Sequence, residues 1–98
     1  MKQRPVILDP QASIVLDEIY VWVARHADEA VADRFTQRLL TFCDRLRMAP
    51  KRGVVRDDFR SGARLIGFER SVSVAFVVTE DEVRILRLLS RGRQFDSR

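Results

Sequence analysis

Arg56 and Arg64, in a stretch that holds five basic side chains between residues 50 and 64, and Arg91 and Arg93, just past the last apolar run, are the residues here best suited to act on a partner. Arginine offers a planar fork of donors that grips a carboxylate or a phosphate at two points, and it stays protonated under ordinary conditions. It therefore binds and stabilises negative charge and is a poor general base. The conventional proton carriers are scarce: one histidine, His26, one tyrosine, Tyr20, and two lysines, Lys2 and Lys51. Arg64 opens an apolar-alternating run while Arg91 and Arg93 follow another, so the three could converge on a common edge.

Other pairings offer less. Asp57-Asp58 reads either as a carboxylate dyad or, between Arg56 and Arg60, as a local ion-pair cluster that fixes a loop. Cys43 and His26 lack an obvious third group to orient a nucleophilic pair. Cys43 lies one position past the apolar residue Phe42 and reads as partly buried. It cannot form an internal disulfide, being the only cysteine, which fits a reducing compartment. No His/Cys/Asp/Glu cluster has metal-ligand spacing. Gly62 and Gly92 are isolated and make no phosphate loop. Tyr20 and Trp22 read as packing residues more than as a base-stacking platform.

These side chains belong to a chain of 98 residues, enough for one domain with one core. The net charge of +4 is unevenly placed: residues 1–50 carry seven basic and seven acidic side chains, residues 51–98 eleven and seven. An arginine excess confined to one half suggests an acidic partner, nucleic acid or an acidic protein segment, or else a solubilising surface. No apolar run approaches the roughly 18 residues that cross a bilayer. The three apolar residues after Pro5 are too few for a signal-peptide core. A cytoplasmic domain with no membrane partner is expected.

Val6-Ile7-Leu8, between Pro5 and Pro10, suits an edge strand. Asp9-Pro10 reads as a helix start, with Asp9 as N-cap. From there Ala12, Val15, Ile19 and Trp22, with Leu16, Tyr20 and Val23 beside them, give a helical stripe broad enough to touch more than one neighbour. Asp28 or a residue beside it caps a second helix whose apolar seam is Val31, Phe35, Leu39, Phe42, Leu46 and Ala49, ended by Pro50 and Gly53. A connection of a few residues makes the two helices antiparallel. Three strand-like runs follow at 63–68, 71–79 and 82–90, joined by tight turns at Glu69-Arg70 and Glu80-Asp81. The alternation breaks at Leu88-Leu89, which predicts a bulge or burial on both faces. The expected class is α+β, ordered β-α-α-β-β-β, with a helical hairpin on a small antiparallel sheet.

That order, together with the segment Gly53-x-x-Arg56-x-Asp58-Phe59-x-x-Gly62-x-Arg64 and the closing Val83-Arg84-Ile85-Leu86-Arg87-Leu88-Leu89-Ser90-Arg91-Gly92-Arg93, resembles the RelE/ParE superfamily of type II toxin–antitoxin toxins, and more closely its ParE branch. The resemblance runs over nearly the whole chain, as a single toxin domain spanning residues 1–98. It departs from the family at Phe76, where a tyrosine is frequent, at Ser90, where ParE-like sequences often have histidine, and at Gln94, where an aspartate is frequent. The resemblance implies a toxin in hetero-oligomeric complex with a cognate antitoxin, a role in plasmid stabilisation, and no cofactor. The ParE branch implies inhibition of DNA gyrase by protein contact, with Arg56, Arg64, Arg91 and Arg93 as antitoxin- or target-binding residues. The RelE branch implies the alternative, ribosome-dependent cleavage of mRNA, in which Arg64, Arg91 and Arg93 would hold phosphates. Attack by a 2′-hydroxyl also needs a base and an acid, and only Glu69 or an aspartate could supply them near the strands.

Overall fold

The short apolar run between two prolines forms strand β1 (Val6–Leu8), and the two helical patterns form α1 (Pro10–His26) and α2 (Glu29–Arg45), in a computed structural model that describes residues 4–48 and 51–90. Pro10 sits in the first turn of α1, where its missing N–H has no intrahelical acceptor to lose. Asp9 holds the N-cap position but makes no capping bond. Its carboxylate instead accepts from the Arg84 guanidinium, which corrects the expected role; a charge-assisted bond is stronger than one to a neutral backbone N–H. Asp28 does cap α2, its Oδ1 accepting from the Val31 N–H at 2.8 Å. Glu29 in the first turn and Arg45 in the last both suit the helix dipole.

The buried line of α2 is Ala32, Phe35, Leu39 and Cys43, continuing to Leu46, with Val31 and Phe42 half-buried beside it. The expected seam is thus shifted, because α2 packs on the sheet as well as on α1. After Arg45 the chain tightens into a 3₁₀ turn, Leu46–Met48. The expected stop at Pro50, together with Ala49 of the seam, lies outside the described residues.

The sheet has five strands in the order β1-β5-β4-β3-β2. β2 (Val54–Val55), β3 (Arg64–Phe68), β4 (Val72–Val78) and β5 (Val83–Ser90) form the antiparallel part. β1 joins β5 in parallel, Val6 opposite Val83 and Leu8 opposite Ile85, so the sheet is mixed where an antiparallel one was expected. β2 is an added strand: two residues are too short for a readable alternation, and both of its side chains are exposed. β3 and β4 are joined through Glu69 and Arg70, at φ 48° and 61°, with the Ser71 N–H donating to the Phe68 carbonyl at 3.0 Å. Positive φ at both turn residues matches the strands' twist. The expected turn at Glu80-Asp81 is held by Thr79, whose Oγ1 accepts from the N–H groups of Asp81 and Glu82.

The bulge lies at Leu86 instead of Leu88-Leu89. Ala75 faces Arg87 and Phe76 faces Ile85, leaving Leu86 as the extra residue. It falls on the sheet face away from the helices, in a small cluster with Ala63, Ala75 and Val77, covered by Phe59 and Leu65. The main core lies between helices and sheet, around Phe76, Leu39, Leu46 and Ile85. Phe68 anchors α2 there, packed against Phe35 and Phe42 at centroid distances of 5.7 and 5.1 Å.

Candidate functional site

The connector from Lys51 to Arg64 is built by backbone and charge together. Its carbonyls at Lys51 and Gly53 accept from Nη1 of Arg64, at 2.8 and 3.4 Å. The Arg56 N–H then pairs with the Ala63 carbonyl at 2.7 Å, extending the β2–β3 ladder by one rung. The loop between them closes on itself: Asp57 Oδ1 accepts from the Gly62 N–H at 2.8 Å, and Ala63 N–H donates to the Arg60 carbonyl at 2.9 Å. Arg56 makes a two-point contact with Asp58, both bonds 2.8 Å, and its guanidinium sits 4.9 Å from the Phe59 ring centroid. That contact holds the Asp58 carboxyl below its usual range. Asp57 and Asp58 therefore have separate jobs in the loop, one on a backbone N–H and one on a guanidinium.

Arg56 and Arg64 occupy opposite faces of the sheet. Arg64 alternates with Leu65 and so shares the helix-facing side with Ile66 and Phe68. Arg56 stacks on Phe59, which covers the outer cluster. Arg91 and Arg93 lie outside the described residues.

The groups able to carry a proton sit elsewhere. His26 stacks on Trp22 at 3.8 Å, and its Nδ1–H donates to the Trp22 carbonyl at 2.8 Å. Tyr20 hydrogen-bonds to Asp33, which raises its pKa above the ordinary value. Glu69 is gripped by Arg38 at 2.8 and 3.0 Å, which lowers its pKa, and it follows the end of β3 opposite to Arg64. Cys43, expected to be partly buried, is almost wholly enclosed, and that burial pushes its thiol up to about 12. Since thiolate is the reactive form, the folded protein should resist iodoacetamide at pH 8, and the same protein in denaturant should label to completion. Ready labelling of the fold would contradict this burial. Among the described residues, no group of three or more His, Cys, Asp or Glu could hold a metal ion, and no helix is long and apolar enough to cross a membrane.

What the sequence did not single out is where apolar surface remains exposed. Ile14 and Val21, seven residues apart on α1, are 57% and 48% exposed. Val21 lines a shallow groove of 460 Å³ with Asp17, Glu18, Trp22, Arg25 and His26. At the far sheet edge Val54 and Val55 are 67% and 50% exposed. Ile14 and Val21 fall outside the helical stripe read on α1, and their apolar character off that stripe was the available signal. The stripe itself is buried or half-buried against the core.

A known structure shares this arrangement. The chromosomal ParDE TA system from P. aeruginosa contains a chain that superposes with a TM-score of 0.75 at 24% identity, over 90% of this chain and 96% of that one. At that identity the likeness is one of fold. No curated protein sequence matches. The family described as "ParE toxin of type II toxin-antitoxin system, parDE" matches residues 6–95, from β1 through the connector and the whole sheet. A match of that extent, on this helix-hairpin-and-sheet frame, makes the chain a member of the ParE toxin family of type II toxin–antitoxin systems.

Proposed function

We propose that this protein inhibits growth by direct contact with DNA gyrase, without chemistry of its own, and that a segment of a cognate antitoxin neutralises it by binding its surface. The observation that carries the reading is the separation of cationic and proton-carrying groups. Arg64 is spent on the carbonyls of Lys51 and Gly53, Arg56 on Asp58, and the phenol, imidazole and thiol all belong to the helical hairpin. A phosphodiester-cleaving site needs a positioned base and acid within hydrogen-bond reach of the reacting oxygens. Arg64 has no such neighbour among the described residues, and Arg56 has only Asp58, whose carboxyl it holds below the usual range and so makes a weaker base. The exposed patches suit contact instead. An amphipathic antitoxin segment can lay apolar residues on Ile14 and Val21, and an extended one can add to the free edge of β2. Ordering a disordered tail on a domain of this size lets a short sequence cover much of it.

A supercoiling assay tests the proposal. Stoichiometric toxin should abolish supercoiling by purified gyrase, and pre-incubation with antitoxin should restore it. Undiminished supercoiling, together with cleavage of ribosome-bound mRNA, would replace the proposal with a nuclease.

A further inference from the structure

The outward face of α2 has a character found on neither exposed apolar patch. Arg34, Arg38, Thr41 and Arg45 recur at intervals of four, three and four, with Gln37 beside them, and form one stripe. At about 1.5 Å of rise per residue the three arginines span roughly 16 Å. Two contiguous shallow grooves run along the stripe, of 350 and 390 Å³, sharing Gln37 and Arg38. Arg52 extends it past the helix, its guanidinium 5.8 Å from the centroid of Phe42, which lines the second groove with Arg45.

The nearby acids are already engaged. Asp33 is hydrogen-bonded with Tyr20, Asp44 pairs with Arg47, and Glu69 pairs with Arg38. Arg38 still leaves half of its side chain exposed, 51%. Arg34 and Arg45 are exposed and make no ion pair among the described residues. The stripe therefore presents four guanidinium groups against two carboxylates, Glu69, which pairs with Arg38, and Asp33, which lines the first groove and keeps its charge because its partner Tyr20 is a neutral phenol.

We propose that this face of α2 binds the phosphate backbone of double-stranded DNA. Two observations choose this occupant. The exposed large apolar residues (Ile7, Ile14, Val21, Met48, Val54 and Val55) all lie off α2, so an amphipathic protein segment would find no hydrophobic anchor on it. Phe42 is half-buried beneath Arg52, so the stripe offers no open aromatic surface for stacking the bases of a single strand. What remains is a row of forked cations with polar donors between them, which matches a row of phosphates. The inference goes beyond the gyrase reading and is independent of it, because the assay below contains neither gyrase nor antitoxin.

Fluorescence anisotropy of the full chain with a labelled duplex of arbitrary sequence, about 20 base pairs long, tests it between about 50 and 200 mM salt. Three phosphate contacts give a slope of log K against log salt of about −2.7 or steeper, an affinity loss of about 40-fold across that range. The double variant Arg34→Gln/Arg45→Gln should flatten the slope by about 1.8. Arg60→Gln/Arg87→Gln, one in the connector loop and one on β5 opposite Ala75 of the outer cluster, should leave it unchanged, and unaltered thermal melts of both variants establish that they fold. The proposal is overturned by an absence of duplex binding at the lower salt, by an unchanged slope in Arg34→Gln/Arg45→Gln, or by an equal effect of the Arg60 and Arg87 changes. It is also overturned if a poly-glutamate peptide or single-stranded DNA binds the same face more tightly than the duplex does.

Discussion

Phe76→Ala should destabilise the protein by about 3–5 kcal/mol, the range for truncating an aromatic side chain enclosed in a core. Phe76 is fully buried and sits mid-sheet on β4, between Arg64 on β3 and Ile85 on β5, beneath the helical hairpin. No neighbour can easily fill the void, because β4 is held by strands on both sides. A domain of this size has a total stability of roughly 5–15 kcal/mol, so the variant would be marginal. At about 4–8 °C of melting temperature per kcal/mol, a thermal melt followed by circular dichroism should drop by well over 10 °C. Phe76→Leu keeps most of the volume and should cost about 1.5 kcal/mol or less. An alanine variant that melts with the parent would remove Phe76 from the core and reopen the question of why the family often carries a tyrosine there.

The second large effect is expected at Gly53. Gly53 and Gly62 share a φ of 83°, a conformation that favours glycine, but their surroundings differ. A Cβ on Gly53 would meet the Leu65 carbonyl oxygen at 2.5 Å, whereas one on Gly62 finds nothing closer than a Val77 methyl at 4.0 Å. Gly62→Ala therefore carries the conformational cost alone, about 1 kcal/mol. Gly53→Ala carries the same cost plus a collision with backbone that is paired in the β2–β3 ladder, and about 2–4 kcal/mol is expected. The shared φ makes the difference between the two variants a measure of the steric part. Urea titration of both, with equal m-values, would give it directly. Equal losses at the two positions would mean that β2 moves aside without cost.

Much of the frame was legible because it is written in local patterns. Prolines bracket β1, Asp28 caps α2, and two-residue turns punctuate the alternating runs. The parts that escaped depend on competition between distant groups. Asp9 had the right position for a cap, yet Arg84 claims its carboxylate from the far end of the chain, and no local pattern records that. The parallel pairing of β1 with β5 is likewise a long-range fact. The bulge was sensed but misplaced, since Leu86, Leu88 and Leu89 are chemically alike and only the register against Ala75 and Phe76 tells them apart. The site was less legible than the fold. A clamp such as Arg64 on two carbonyls and an exposed arginine look the same in a sequence, and the α2 stripe reads as an ordinary solvated helix face until its acids are seen to be engaged.

The placement of β5 between β1 and β4 has a consequence for how the protein comes into being. β1 leaves the ribosome early but has no partner until residues 83–90 follow, and until then α1 has only α2 to pack on and not the sheet. Native contacts that join the two ends of a chain slow its folding, because loop-closure entropy must be met before they form. A translation product broken off before β5 would lack the strand that joins β1 to the rest of the sheet and could not complete the fold. For this member of the ParE toxin family, a closed sheet is thus a property of finished synthesis: an interrupted message releases a chain without the strand on which both ends meet.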